Sequence, residues 1–201
     1  MAFTDSFTYS NGNLTANGSW LTPTGGTSSA VDTGRSTGIT NAAFSECYYN
    51  QTFATAHYAK AAVTIGSQTS QSTGTGVAVR MQTGAVSLYY LVVNGDTSMF
   101  AGELVAGTPT DWEEITGAFT SGQTIELAVD QTVSTTFYVK VNGSTIRTYT
   151  SKSALSGGKA GVVSYGDGRS GEGPFADTWE GGDVGTAQSQ APRSMQTLRR
   201  R

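Results

Sequence analysis

Long runs of alanine, leucine, glutamate and lysine are missing from this chain, so almost no helix is expected. Charge is scarce as well: 13% of the 201 residues are charged, against roughly 25% in ordinary soluble domains. Cys47 is the one cysteine, which excludes an internal disulfide and leaves stability to packing. In SECYYN it reads as a small buried apolar residue. His57 is the one histidine, so a His-rich metal cluster is excluded, and no serine has the surroundings a Ser-His-Asp triad would need. No window approaches a membrane span. The opening MAFTDSFTYSNGN has neither a basic nor an apolar leader segment, and the expectation is a protein without a signal peptide. On that expectation the Asn-x-Ser/Thr sequences at Asn13, Asn17, Asn50 and Asn142 carry no glycan.

What is present is glycine, at 26 residues, together with frequent threonine and serine. Threonine suits a pleated surface, and glycine suits bulges and turns. In FYVKVNGSTIRTY, residues 137–149, the apolar Phe137, Val139 and Val141 alternate with Tyr138, Lys140 and Asn142. That is the period of a half-buried strand, and Asn142-Gly143 supplies a tight hairpin turn. Strands are expected near residues 3–8, 18–22, 28–32, 45–50, 57–65, 76–83, 86–93, 98–106, 112–118, 123–130, 135–142, 145–150, 160–165 and 174–180. So many short strands without helices between them indicate one domain, a sandwich or jelly roll. The run SQTSQSTGTG, residues 67–76, is expected to be a mobile loop.

The pattern stops after residue 183. The tail VGTAQSQAPRSMQTLRRR, residues 184–201, carries Arg193, Arg199, Arg200 and Arg201 and no acid. Without those four, eight basic residues face 15 acidic ones, so the body has a net charge of −7. An acidic body without a basic stripe makes nucleic acid an unfavourable partner. The tail reads either as a solvated end or as an arm that docks on a neighbouring subunit. In the second reading arginine forks pair with carboxylates, and Met195 and Leu198 add apolar anchoring.

Several segments in order resemble the concanavalin A-like, laminin G-like sandwich family: TDSFTYSNGNLTANGSW, HYAKAAVTIG, TGVAVRMQTGAVSLYYLVVNG, QTIELAVDQ, FYVKVNGSTI, SGGKAGVVSYG and PFADTWEGGD. The resemblance covers residues 3 to about 183. It implies an all-β jelly-roll sandwich of two antiparallel sheets, with residues 184–201 as an extended arm and PFADTWEGGD returning beside the first strand. The Met-Ala-Phe-x-Asp start also resembles structural proteins of tailed bacteriophages. That resemblance implies a virion protein made in the host cytoplasm: a capsid decoration or minor head subunit, anchored by its arm on the major capsid or another virion protein. The alternative is a carbohydrate-binding module of a tail or fibre, and the remote one is a glycoside hydrolase.

Sites must decide among these. A hydrolase of this fold is expected to align acids at alternate positions of one strand, so that two carboxylates share a groove. In IELAVDQ only Glu126 and Asp130 meet that pattern, with Ala128 between them; in DWEEITG, Asp111 and Glu113 stand one step apart with no third acid. Both read as outward faces of ordinary strands, and no catalytic residue is assigned. The G-x-G-x-x-G at Gly166, Gly168 and Gly171 is followed by Gly173-Pro174, which bars the helix a dinucleotide site needs. No cofactor is expected. Calcium is the one metal considered, at Asp167, Glu172 and Asp177, against the plainer reading of solubilising loop acids. For sugar stacking the aromatic candidates are Trp112, Tyr165, Tyr49 and Tyr90, with core or sheet-surface packing as the plainer reading. Alternation sends one ring of Tyr48-Tyr49 and one of Tyr89-Tyr90 outward.

Overall fold

The computed structural model describes residues 1–150, 152, 155–167 and 173–185, the side chains of residues 39–43 and Asp167 excepted. Sixteen strands follow in chain order: β1 (Ala2–Asp5), β2 (Gly12–Asn13), β3 (Trp20–Leu21), β4 (Ala30–Asp32), β5 (Arg35–Thr37), β6 (Ile39–Tyr49), β7 (His57–Thr64), β8 (Gly74–Met81), β9 (Leu88–Asn94), β10 (Met99–Val105), β11 (Thr108–Ile115), β12 (Thr124–Val129), β13 (Phe137–Val141), β14 (Ser144–Tyr149), β15 (Lys159–Asp167) and β16 (Phe175–Asp183). The one helical turn among the described residues is a 3₁₀ turn at Leu14–Ala16.

Two antiparallel sheets face each other. The first runs β14-β13-β12-β7-β16-β5-β4-β2, with β1 also paired to β16; the second runs β11-β10-β9-β8-β15-β6-β3. The closing strand does return beside the first, with Ala2 opposite Gly182 and Asp5 opposite Trp179. Asn142 and Gly143 turn between β13 and β14 with φ of 48° and 79°, the left-handed pair of a type I′ hairpin.

In β7 and β13 of the nine-stranded sheet the alternation survives intact. Every second residue of β7 is buried, and Ile125, Leu127 and Val129 of β12 enter the core with Phe137 and Val139 of β13. The other face carries Lys60, Glu126, Lys140 and Glu180, joined as Lys60–Glu180 at 3.0 Å and Lys140–Glu126 at 2.7 Å. In the seven-stranded sheet the alternation is lost: all of β8 and β9 is buried. Val77, Val79, Tyr89, Leu91 and Val93 face the first sheet, while Ala78, Leu88, Tyr90 and Val92 belong to a second apolar cluster on the opposite face. Strands covered on both faces read as near-continuous apolar runs, which is what LYYLVV shows.

The expected loop at 67–76 is corrected at its C-terminal end. Thr73 to Gly76 are buried and β8 begins at Gly74. The Thr75 hydroxyl meets Ser164 Oγ at 2.8 Å, so a polar run is buried with its polar atom satisfied. Strands β2 and β5 fall outside the expected segments, being two and three residues long.

His57 is fully buried between the sheets. Its Nε2 accepts the Arg80 amide N–H at 2.9 Å, so Nδ1 carries the proton and donates to the Ala54 carbonyl at 2.8 Å. Burial, then the nearby Arg80 charge, pushes its pKa below the ordinary histidine value. The folded protein therefore keeps His57 neutral where the unfolded chain, near pH 6.5, begins to protonate it. Stability contributed at neutral pH is lost as the solution is acidified below about pH 6.5, with a slope of at most about 1.4 kcal/mol per pH unit for this one proton. Denaturant unfolding at pH 7.5 and 5.5 should show a shallower pH dependence in His57→Asn than in the natural protein. Equal slopes would assign the acid sensitivity elsewhere.

Candidate glycan-binding groove

The second apolar cluster forms the outer face of the seven-stranded sheet. At its β6–β15–β9–β10 portion it opens into a groove of about 380 Å³ lined by Phe44, Gln71, Tyr90, Val92, Phe100, Pro109, Asp111 and Tyr165. Phe44 stands 5.5 Å from Tyr90 and 5.6 Å from Tyr165, centroid to centroid. The aromatic surface is therefore continuous across strands that are not neighbours.

Glycines make room for these rings. A Cβ on Gly74 would fall 2.4 Å from the Tyr165 ring, and one on Gly102 would fall 2.5 Å from the Tyr90 hydroxyl. Each tyrosine thus lies across a neighbouring strand and reaches a polar partner beyond it. Tyr90 donates to Asp111 Oδ1 at 2.5 Å. The Tyr165 hydroxyl lies between Asn94 Oδ1 and the Gln71 carbonyl, 3.0 Å from the latter, and donates to one of them at a time. Asn94 is held in turn by Ser98, and Ser98 by Asp96. Gln71 Nε2 donates to Glu114 Oε1 at 2.7 Å, tying the loop before β8 to the edge strand β11. Burial raises the pKa of both tyrosines, reinforced by Asp111, so both keep their protons.

A β-bulge in β11 decides which acids face the groove. Ala101 is opposite Glu113 and Gly102 is opposite Asp111, so Trp112 is the extra residue. The expected pairing of Asp111 and Glu113 on one face is corrected accordingly. Asp111 lines the groove and Glu114 bonds its rim residue Gln71, while Glu113 turns to Arg147 at 2.7 Å and Tyr149 at 3.0 Å. Glu126 pairs with Lys140 across β12 and β13, and Asp130, just past β12, accepts from the Thr132 and Val133 amides and the Tyr138 hydroxyl.

Of the four aromatic candidates the structure brings Tyr90 and Tyr165 together. Tyr90 is 1% exposed and Tyr165 half-buried, so Tyr165 offers the ring that a ligand can reach. Trp112 lies inside β11 rather than at a loop, packed against Tyr89, Phe137 and Tyr149, with Lys152 Nζ 4.9 Å from its ring. Tyr49 packs in the core against Phe3, Trp20 and Trp179. Phe44, Phe100, Asn94, Gln71 and Asp111 were not expected in a binding site. The doubly buried run LYYLVV was the available signal that the outward face of β9 is also covered.

For calcium, Glu172 and the Asp167 side chain lie outside the described residues. Asp177 accepts from the Thr64 hydroxyl and has Arg35 at 3.8 Å, so a cation already stands there. Among the described residues no three His, Cys, Asp or Glu side chains gather closely enough to hold a metal ion. The arm residues Arg193, Met195, Leu198, Arg199, Arg200 and Arg201 also lie outside the described residues. No described helix is long and apolar enough to cross a membrane.

The fold is that of the concanavalin A-like sandwiches. It is similar to the carbohydrate-binding module CBM66 from Bacillus subtilis, with a TM-score of 0.56 and 14% identity over 82% of this chain and 92% of that one. The carbohydrate recognition domain of Emp47p matches at a TM-score of 0.56 and 13% identity, covering 90% and 94% of the two chains. The β-glucanase of Bacillus licheniformis matches at 0.56 and 12%, covering 90% and 98%. At these identities the likeness is one of fold. No protein-family model matches the sequence, and no curated protein matches it either.

Proposed function

We propose that this protein is a carbohydrate-binding sandwich, with the groove on the seven-stranded sheet as its saccharide site. The observation that carries this reading is the accessible Tyr165 ring beside Phe44 and Phe100, with Asp111 and Gln71 on the wall. A pyranose ring needs an apolar plane for its C–H face and fixed polar groups for its hydroxyls, and both are present. That the fold is shared with a carbohydrate-binding module and a carbohydrate recognition domain supports the reading.

The fold is also shared with a β-glucanase, so hydrolysis must be weighed on the acids. Retaining and inverting mechanisms place two carboxyls roughly 5 to 9.5 Å apart across the bond. Glu46 is buried on the outer face in β6, beneath the Thr27 amide, and burial raises its pKa. Asp111 is in β11, five strand positions away, which is about 24 Å at about 4.8 Å per strand. Asp111 and Glu114 share one strand, and each is bonded to a groove side chain. Among the described residues these placements favour binding without cleavage. A glycan array followed by titration calorimetry tests the proposal, with saturable binding as the expected result and a flat array as the contrary one.

The virion placement is compatible with this reading. Val184 and Gly185 leave from β16, where the Met1 amine meets Asp183 at 3.3 Å. Attachment through residues 184–201 would turn the groove, on the opposite sheet, away from the shell. Quantitative mass spectrometry of purified particles should then find this chain at a copy number near that of the shell protein. Its absence from particles would remove the virion role.

A further inference from the structure

We propose that the groove selects its saccharide by charge, accepting uncharged sugars and rejecting those that carry carboxylates or sulfates. This inference rests on the glycan-binding reading and adds a ligand class to it. Asp111 is solvent-exposed on the groove wall, and Glu114 holds the rim residue Gln71. Asp96 fixes the Asn94–Ser98 chain beneath Tyr165. Asp111 is felt by both groove tyrosines, and Asp96 by Tyr165.

No basic residue lines the groove among the described residues. Each described cation is engaged elsewhere. Lys60 and Lys140 pair on the nine-stranded sheet, Arg147 pairs with Glu113, and Arg35 stands beside Asp177. Lys159 donates to the Gln51 carbonyl, Lys152 lies over Trp112, and Arg80 is buried with its guanidinium on the Leu155 carbonyl. A sugar carboxylate seated on Tyr165 would meet like charge in a partly desolvated site, with no counter-charge among the described residues to offset it. A like charge set against the wrong ligand is an effective way to discriminate, because the penalty falls on one ligand alone. Neutral hydroxyls, by contrast, find in Asp111 a strong acceptor.

The test pairs neutral oligosaccharides with uronic counterparts of the same linkage, for example fully methyl-esterified and free-acid oligogalacturonates, titrated at low and high salt. The neutral member should bind about tenfold more tightly or better at low salt, where screening is weak. The preference should narrow at 1 M salt, where the Debye length falls to about 3 Å. It should also narrow in the double variant Asp111→Asn, Glu114→Gln, read as the ratio of the two affinities. Equal binding of both members, with both lost in Tyr165→Ala, would overturn charge selection while leaving the glycan site standing. Binding to no saccharide of either charge, or binding indifferent to Tyr165→Ala, would overturn the glycan site and charge selection with it.

Discussion

Tyr165→Ala is expected to weaken saccharide binding about 30-fold or more, the effect of losing about 2 kcal/mol at a central aromatic contact. Tyr165 is the tyrosine of the groove that remains partly exposed, while Tyr90 is sealed at 1%. Its ring extends across Gly74 and its hydroxyl is anchored on Asn94 and the Gln71 carbonyl, so the plane is presented in one orientation. A fixed ring loses little freedom when a sugar lands on it. Tyr165→Phe separates the two contributions: the plane remains while the anchor is gone, and a smaller loss is expected. Trp112→Ala is the matched control, because Trp112 faces the core side of β11. Calorimetric titration of the three variants decides the matter. If Trp112→Ala lost binding while remaining folded and Tyr165→Ala kept it, the site would have to be moved to the other face of β11.

Trp179→Ala should destabilise the fold by about 3–5 kcal/mol, the usual range for truncating a large buried aromatic. Trp179 belongs to the nine-stranded sheet, yet it stands 5.0 Å from Trp20 and 5.2 Å from Tyr49, both on the seven-stranded sheet. Its Nε1–H donates to the Gly161 carbonyl of that sheet at 3.1 Å. The residue therefore joins the layers through packing and a hydrogen bond together, and truncation leaves a buried acceptor unpaired. Trp20 is fixed from the other side by Asp5, whose carboxylate accepts from Trp20 Nε1 at 2.8 Å and from the Tyr9 hydroxyl. The Tyr9 hydroxyl is pushed up to about 12 by burial and by that carboxylate. Urea unfolding checks the magnitude. A loss below about 1 kcal/mol would mean that the layers are held mainly by the β8–β12 side of the core.

Much of this architecture was legible because β7, β12 and β13 of the nine-stranded sheet send their apolar side chains to one face in simple alternation. Ile125, Leu127 and Val129 point one way and Glu126 the other, as their order in the sequence requires. The single rings sent outward from Tyr48-Tyr49 and Tyr89-Tyr90 follow the same rule, Tyr48 and Tyr90 joining the outer cluster. The groove was harder to read. Its walls come from β6, β9, β10, β11 and β15, which are far apart in sequence, and its floor depends on glycines whose role is to be absent beneath a ring. The bulge at Trp112 was hidden for a related reason: one extra residue reverses which acid faces outward, and DWEEIT carries no glycine or proline to mark it. Polar runs misled in the same way at Thr73–Gly76, where a serine from β15 satisfies the buried threonine.

The strand order carries a consequence for how the chain reaches this state. β16, residues 175–183, is an interior strand, seated between β7 and β5. A nascent chain that has emerged only as far as β15 has every other described strand of that sheet, yet two facing edges remain open and unpaired. Contacts of such long sequence separation form late. Open edges also invite pairing between different molecules. The sheet is therefore completed only when β16 arrives, by insertion of a nine-residue wedge, and until that moment crowding of nascent copies favours misassembly.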